Sequence, residues 1–573
     1  MYVTKRKRNA SKEFMFITPN LRTYFDRLRD GNPDDIRTPL WDGISREEIL
    51  NQWDKIYCQC RRALMYEGLD NFELDMRSKV GPMSVLRPLA QRMPSVIEYF
   101  TPPELQVPIS EAAIQQTCKY FSPIKGLRLR SPTRVIDDMD LSRYSGTPFC
   151  TRKSRVTNQT LSAWHTLQYV WLTDTNFETL ADYVVDAISY NFKHACMLGS
   201  RTQEGGPSED DTKNRVIWMS PYIVALDELR FYQPFILGAQ SSGLIPAYVS
   251  LKEVSCCVTS IFSTKGVDDV VICTDFSSFD QSFWTPLQDA AHAIITDLLT
   301  PSEESARWLD STFYFKYYCP LIIQLDEILY GHHGMASGSG GTNADESLAH
   351  KALQYEAALA NNVNLNEYSM AYGDDGILTF PGITVEKVTS SYTKHGVQMN
   401  ESKQMVSATD AIVLRRWYST AYTLDGWMLG VYSTFRALGK LMSQERFYDP
   451  EKWSNEMVIL RALSIIENCS EHPYFEQFVD FVYKGDKFGL GTKLPEFWNS
   501  IDSKFQEFKD VTHGENYTIE NMMGGMSGRQ YVPLAKENSD TLWKYKWDRD
   551  ISGIRGWHVY QYLNSKYVLG IQK

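Results

Sequence analysis

Cysteine pairs at metal-binding spacing are missing from this sequence: its ten cysteines are scattered, with no Cys-x-x-Cys and no histidine spacing of the zinc type. That excludes a zinc-stapled scaffold and reads as reduced thiols in an intracellular protein. No stretch approaches the roughly 18 uninterrupted apolar residues of a membrane span, so the chain reads as water-soluble. Internal repeats and low-complexity tracts are missing as well. An excess of positive charge is also lacking. The net charge of −11 argues against a protein that coats nucleic acid with its outer surface, and a bound polyanion must then lie inside. The first residues do carry Lys5, Arg6, Lys7, Arg8 and Lys12, but the apolar patch that follows is too short for a secretory signal. They read as a solvated tail, or as a basic arm for nucleic acid or a partner.

What is present is ample hydrophobic content, 43% over 573 residues, enough to bury a large core divided into several subdomains. Charge is uneven. Between Lys119 and Arg155, nine cations, among them Arg152 and Lys153, stand against Asp137, Asp138 and Asp140. The segment 201–218 reads as a long exposed polar loop ending in the basic, β-like KNRVIW, where Lys213 and Arg215 share one side of a strand. After residue 430 the spacing turns helical, as in MVILRALSII and in Phe475, Phe478, Val479 and Val482. The Gly-rich stretch 514–530 and an aromatic, basic tail close the chain.

Two carboxylate sites stand out. In EYSMAYGDDGILTF the alternation predicts a β-hairpin, with Gly373 reversing the chain beside Asp374 and Asp375. In VVICTDFSSFD an apolar strand delivers Asp275 at its end, and a bend at Ser277 and Ser278 must fold the chain if Asp280 is to stay near it, since the extended gap is about 16 Å. Two strand-borne carboxylate sites meeting in one sheet are hard oxygen ligands suited to Mg²⁺ or Mn²⁺. Two such ions serve phosphoryl transfer. The plainer alternative is an acid-capped strand and an ordinary turn. Between them SGSGG, beginning at Ser337 and Gly338, precedes a helix predicted from about Thr342, with Leu348, Ala352, Tyr355 and Leu359 on one buried face. The loop lacks the Gly-Lys-Ser/Thr ending of an ATPase loop.

DFSSFD, SGSGGTN and YGDD in this order, with 99 positions between Asp275 and Asp374, resemble palm motifs A, B and C of viral RNA-dependent RNA polymerases. KNRVIW is similar to motif F, SGTPF (145–149) to motif G, VQMNESKQ to motif D and LRRWY, with Arg415 and Arg416, to motif E. SGSGGTN and RRWY are most similar to the picobirnaviruses, and next to the partitiviruses. One departure is Glu346, which stands nine positions after Ser337, where many positive-strand relatives of the family carry asparagine.

The resemblance implies an α+β fold, a closed right hand with an RRM-like antiparallel palm. Residues 1–60 would be an N-terminal extension, 61–265 fingers, 266–430 palm with a fingers insertion at about 285–330, and 431–573 a helical thumb and tail. It implies template-directed RNA synthesis from ribonucleoside triphosphates for a viral, double-stranded RNA genome. Asp275, Asp374 and Asp375 would hold two Mg²⁺ or Mn²⁺ ions, and Lys403 would protonate the leaving pyrophosphate. Lys213 and Arg215 would bind the triphosphate, with Asp280, Ser337, Gly338, Thr342, Asn343 and Glu346 around the nucleotide. Arg152, Lys153, Arg155, Arg415 and Arg416 would contact RNA. The expected partners are template and product RNA, nucleotides and a capsid protein, with no membrane; the chain would act as a monomer in the virion interior or host cytoplasm. A reverse transcriptase shares the carboxylates, but Asp280 favours ribonucleotides. A non-catalytic RNA-binding or capsid-associated protein would need neither carboxylate site.

Overall fold

The computed structural model describes residues 2–3, 19–171, 195–325, 327–399, 404–448 and 451–487. The basic arm at 5–12, Lys403, the 514–530 segment and the aromatic tail lie outside the described residues.

The apolar VICT folds as the strand Val271–Thr274, buried at every position, inside a four-stranded antiparallel sheet. Its neighbours are Asp375–Leu378 and Met405–Ser407, and Met370–Tyr372 completes the sheet beyond Asp375–Leu378. Met370–Tyr372 and Asp375–Leu378 form the predicted hairpin. Tyr372 pairs with Asp375, leaving Gly373 and Asp374 as a two-residue loop with Gly373 at φ +59°.

Against this sheet lies the helix Thr342–Leu359, starting where the sequence predicts. Leu348 and Ala352 are fully buried as expected, but so are Ala349 and Leu353 on other sides, together with the polar Asp345, Ser347, His350 and Gln354. The helix is enclosed by the sheet and by the helices Glu111–Phe121 and Thr285–Leu298, so a single apolar stripe understates its burial.

A second sheet joins Cys196–Gln203 and Lys213–Met219, antiparallel from Met197↔Met219 to Gln203↔Lys213. The loop expected over 201–218 is therefore only 204–212, because the strand pairing claims both ends. Strands Leu321–Gln324 and Glu327–Tyr330 add to this sheet, the first in parallel to Cys196–Gln203.

The chain after residue 430 forms the helices Thr434–Met442, Asn455–Glu467 and Phe475–Gly485, the last burying Phe475, Phe478, Val479 and Val482. Two cores result. The larger unites the four-stranded sheet, the second sheet and the helices around them. The other packs Trp53, Leu69 and Phe72, from the helices Arg46–Ala63 and Glu67–Ser78, against Trp417 and these C-terminal helices. That core continues without a break across residue 60.

Candidate active site

Asp275 follows the strand directly, with its side chain exposed at the sheet's end. Its backbone is clamped by Gln404, whose Oε1 accepts from the Asp275 N–H at 2.9 Å and whose Nε2 donates to the Asp275 carbonyl at 2.7 Å. The expected bend is present: Ser278 takes φ +55° and opens the short helix Phe279–Ser282, which sets Asp280 near enough to feel the Asp374 charge.

Asp374 is exposed at the hairpin turn and Asp375 half-buried beside it. Because Thr274 pairs with Gly376, Asp275 and Asp375 are the next residues along adjacent strands. Two buried groups of the Thr342–Leu359 helix hold the turn. The Gly373 N–H donates to Ser347 Oγ at 2.9 Å, and His350 Nδ1 lies 2.9 Å from the Gly373 carbonyl. Burial lowers His350 to about 4, so its ring is neutral and Nδ1 carries the proton that it donates. Burial and the Asp374 and Asp275 carboxylates push Asp375 up to about 7, against the pull of Arg415 and Arg215. The charges of Asp374 and Asp275 thus both press on Asp375, a state that a divalent cation relieves. Among the described residues no three such ligands already converge on one point.

Asp280 meets Glu346. The two carboxyls stand close enough to contest one proton, with Tyr99 beside Asp280 and Glu346 Oε1 buried without another partner. Burial, and then the Asp280 charge, push Glu346 well above the usual carboxylate range, so Glu346 keeps the shared proton and donates it. Thr342 Oγ1 instead donates to the carbonyls of Ala336 and Ser339, and Asn343 Oδ1 accepts from the Tyr248 hydroxyl at 2.9 Å.

The glycine-rich loop approaches protein rather than open space. A Cβ on Gly338 would lie 1.6 Å from the Trp218 carbonyl oxygen, and one on Gly341 2.1 Å from the Tyr232 ring. Ser337 Oγ accepts from the Trp218 N–H at 3.3 Å, and Ser339 Oγ donates to the buried Glu228 at 2.7 Å.

The cations divide. Lys213 and Arg215 are exposed while Val216 and Trp218 are buried, the alternation expected of that strand. Arg415, half-buried, lies close enough to affect Asp375. Arg416 turns the other way: it is buried, and Nη1 donates to the carbonyls of Gly430 at 2.8 Å and Asn468 at 3.0 Å. Its place in a short strand facing the second core accounts for this, and an RNA contact is not available to it. Arg152 and Arg155 are exposed, whereas Lys153 lies over the Tyr222 ring. Within the basic stretch, Lys125 pairs with Asp297, Arg130 with Asp138 and Arg143 with Asp140, so less free charge remains than the sequence suggests.

Sequence reasoning missed Tyr99, Gln404, Ser347 and His350. One signal was available: Thr342, Glu346 and His350 recur every four residues, a polar line along one face of a helix.

The family model of viral RNA-dependent RNA polymerases matches residues 97–421. A potential RNA-dependent RNA polymerase of a human picobirnavirus (strain Human/Thailand/Hy005102/-) is 41% identical over 559 residues, spanning 97% of this chain and 98% of that one. The crystal structure of a human picobirnavirus RNA-dependent RNA polymerase superposes with a TM-score of 0.77 at 39% identity, over 92% of this chain and 98% of the other. Its insertion-loop deletion mutant superposes equally well, over 90% and 97%. With motifs, hairpin and fold in agreement over nearly the whole length, this chain belongs to the viral RNA-dependent RNA polymerases, among those of the picobirnaviruses.

Proposed function

We propose that this polymerase extends RNA by two-metal-ion nucleotidyl transfer at Asp275 and Asp374, with Asp375 assisting, and that it replicates and transcribes a double-stranded RNA genome. The observation that carries the reading is the adjacency of Asp275 and Asp375 on neighbouring strands with Asp374 at the turn between strands. Mg²⁺ or Mn²⁺, when bound, activates the attacking hydroxyl and neutralises charge on the leaving phosphate oxygens. Lys213 and Arg215 grip the triphosphate through charge-assisted hydrogen bonds. Asp280, its carboxylate oriented by Glu346 and Tyr99, accepts a hydrogen bond from the ribose 2′-hydroxyl. Ser337, Gly338, Thr342 and Asn343 shape the wall behind the nucleotide. Lys403, outside the described residues, is the proton donor to pyrophosphate, worth about 10²- to 10⁴-fold in rate.

Arg152 and Arg155 face the template, with Lys153 supporting them. The enzyme works as a monomer in the virion interior or host cytoplasm, beside a capsid protein; among the described residues no helix is long and apolar enough to cross a membrane. The test is incorporation of labelled UMP on an RNA template with either ion. Asp374→Asn should abolish nearly all synthesis while its thermal melt stays that of the wild type. Wild-type turnover in that variant would overturn the metal assignment.

A further inference from the structure

One cleft collects cations from four separate stretches of chain. Lys79 closes the helix Glu67–Ser78, Lys213 and Arg215 face it from their strand, and Arg436 and Lys440 lie one turn apart on the helix Thr434–Met442. Arg415 completes the lining. The one carboxylate there is Glu204, whose Oε1 lies 2.7 Å from Arg436 Nη2 with both side chains largely buried. Lys79 also bonds Asp75 at 2.6 Å, and Lys440 Nζ stands 4.0 Å from Glu445. Lys213, Arg215 and Arg415 pair with no carboxylate among the described residues.

Six cations line the cleft against one lining carboxylate, and although Asp75, Glu445 and Asp375 draw on some of them from outside it, positive charge is in excess within the cleft. Burial, and then Lys79, Arg215 and Arg436, lower the affinity of Lys213 for its proton. Burial works to raise Glu204, yet Arg436, Lys440 and Arg415 hold it at about 2. Glu204 is therefore an internal anion seated among cations that outnumber it. The wall is apolar on one side, at Met76, Val80 and Met83, which confines the opening. A compact anion with several charges matches a small focus of this kind. A single RNA strand, with about one charge per nucleotide, spreads the same charge over a longer path.

We infer that this cleft is a polyphosphate site, in which Lys79, Arg436 and Lys440 extend the grip of Lys213 and Arg215, and in which the phosphates displace Glu204 from Arg436. The ligand is the tail of a nucleoside triphosphate or the released pyrophosphate. The inference rests on the nucleotide reading of Lys213 and Arg215. An anion bound here contacts the N-terminal helix, the second sheet and the C-terminal helices at once, and so ties three parts of the molecule together.

The test uses the full chain without RNA or divalent ion. Inorganic tripolyphosphate and pyrophosphate are titrated by calorimetry into wild type, Lys79→Ala, Lys440→Ala and Glu204→Gln. Each lysine variant should bind tripolyphosphate about tenfold more weakly, the loss of one charge-assisted hydrogen bond. Glu204→Gln should bind it several-fold more tightly. Tighter binding of tripolyphosphate than of pyrophosphate identifies the substrate tail as the ligand, and the reverse order identifies the product. Wild-type affinity in both lysine variants overturns the inference, as does displacement of tripolyphosphate by a short RNA with a 5′-hydroxyl. If those variants bind normally while Lys213→Ala still raises KM for nucleotides, only the extended site falls and the nucleotide reading stands.

Discussion

At Glu346 the chain places a buried acid on the helix Thr342–Leu359, and the structure turns that acid toward Asp280. Two carboxyls sharing one proton in a buried site act as donor and acceptor, with Glu346 supplying the hydrogen that an asparagine would otherwise supply. Glu346→Gln should therefore keep most activity, because the amide donates permanently. Asp280→Ala should admit deoxynucleotides better by about ten- to a hundredfold, the worth of roughly 1 to 3 kcal/mol from one lost hydrogen bond. The ratio of kcat/KM for NTP over dNTP from pH 6 to 9 checks both; an unchanged ratio in Asp280→Ala removes it from sugar selection. Helical spacing made it legible that 342 and 346 share one face, while the meeting with Asp280 was implied only by the resemblance to the family. Tyr99 was not legible, since nothing local in the sequence tells that a residue after the helix Leu89–Glu98 reaches Asp280. Arg416 shows the opposite failure: beside Arg415 in LRRWY both cations read alike, yet Arg415 sits in a two-residue turn at φ +62° while Arg416 opens the strand Arg416–Ser419, buried at every position. Arg416→Met should cost about 2 to 4 kcal/mol of stability by orphaning the Gly430 and Asn468 carbonyls, with RNA affinity unchanged in a filter-binding titration.

Among the elements, those with a strong period were legible: the strand Val271–Thr274, the hairpin and the start of the Thr342–Leu359 helix. The enclosure of that helix was not, because burial of Asp345 depends on partners distant in sequence: Lys316 at 3.1 Å and the hydroxyls of Tyr232 and Tyr317, both at 2.7 Å. The purpose of the glycine-rich loop was not legible either: its glycines admit the Trp218 carbonyl and the Tyr232 ring, both distant in sequence. Gly338→Ala must push the loop off the strand Lys213–Met219, since backbone atoms cannot yield as a flexible side chain does. The expected result is a lowered melting temperature and a drop in kcat, with the carboxylates intact. A variant as stable and active as wild type would mean that the loop has slack to rearrange. The second core has its own keystone in Glu73, buried and accepting from the Thr434 N–H at 2.7 Å and Thr434 Oγ1 at 2.6 Å, with His472 Nε2 3.0 Å away. A carboxylate from one helix thereby caps the first turn of another, a favourable placement at the positive end of the helix dipole. It joins the two ends of the described chain in a way that local pattern cannot announce.

Across the whole molecule, buried titratable groups of opposite kind set how stability depends on pH. His332 and His350 are lowered by burial to about 4, and His333 to about 3. Each binds fewer protons folded than unfolded, so each withdraws stability as pH falls from about 6.5 toward those values. For His350 the full effect is on the order of 3 kcal/mol. Glu346, Glu228 and Asp375 are shifted the other way, raised first by burial. They hold protons in the folded state that the unfolded chain has released, so they withdraw stability as pH rises above about 4.5. The two sets offset each other in the wild type, and single variants separate them. Relative to wild type, His350→Gln should gain stability as pH falls from 6.5 to 4, because the unfolded chain loses a proton-binding site that the folded chain never filled. Glu346→Gln should gain relative stability as pH rises from 4.5 to 7, because its amide is neutral in both states. Urea midpoints at half-unit steps read these slopes whatever constant offset each substitution brings. Profiles that run parallel to wild type would mean that His350 and Glu346 titrate in the folded protein much as they do in the open chain, and that water reaches both.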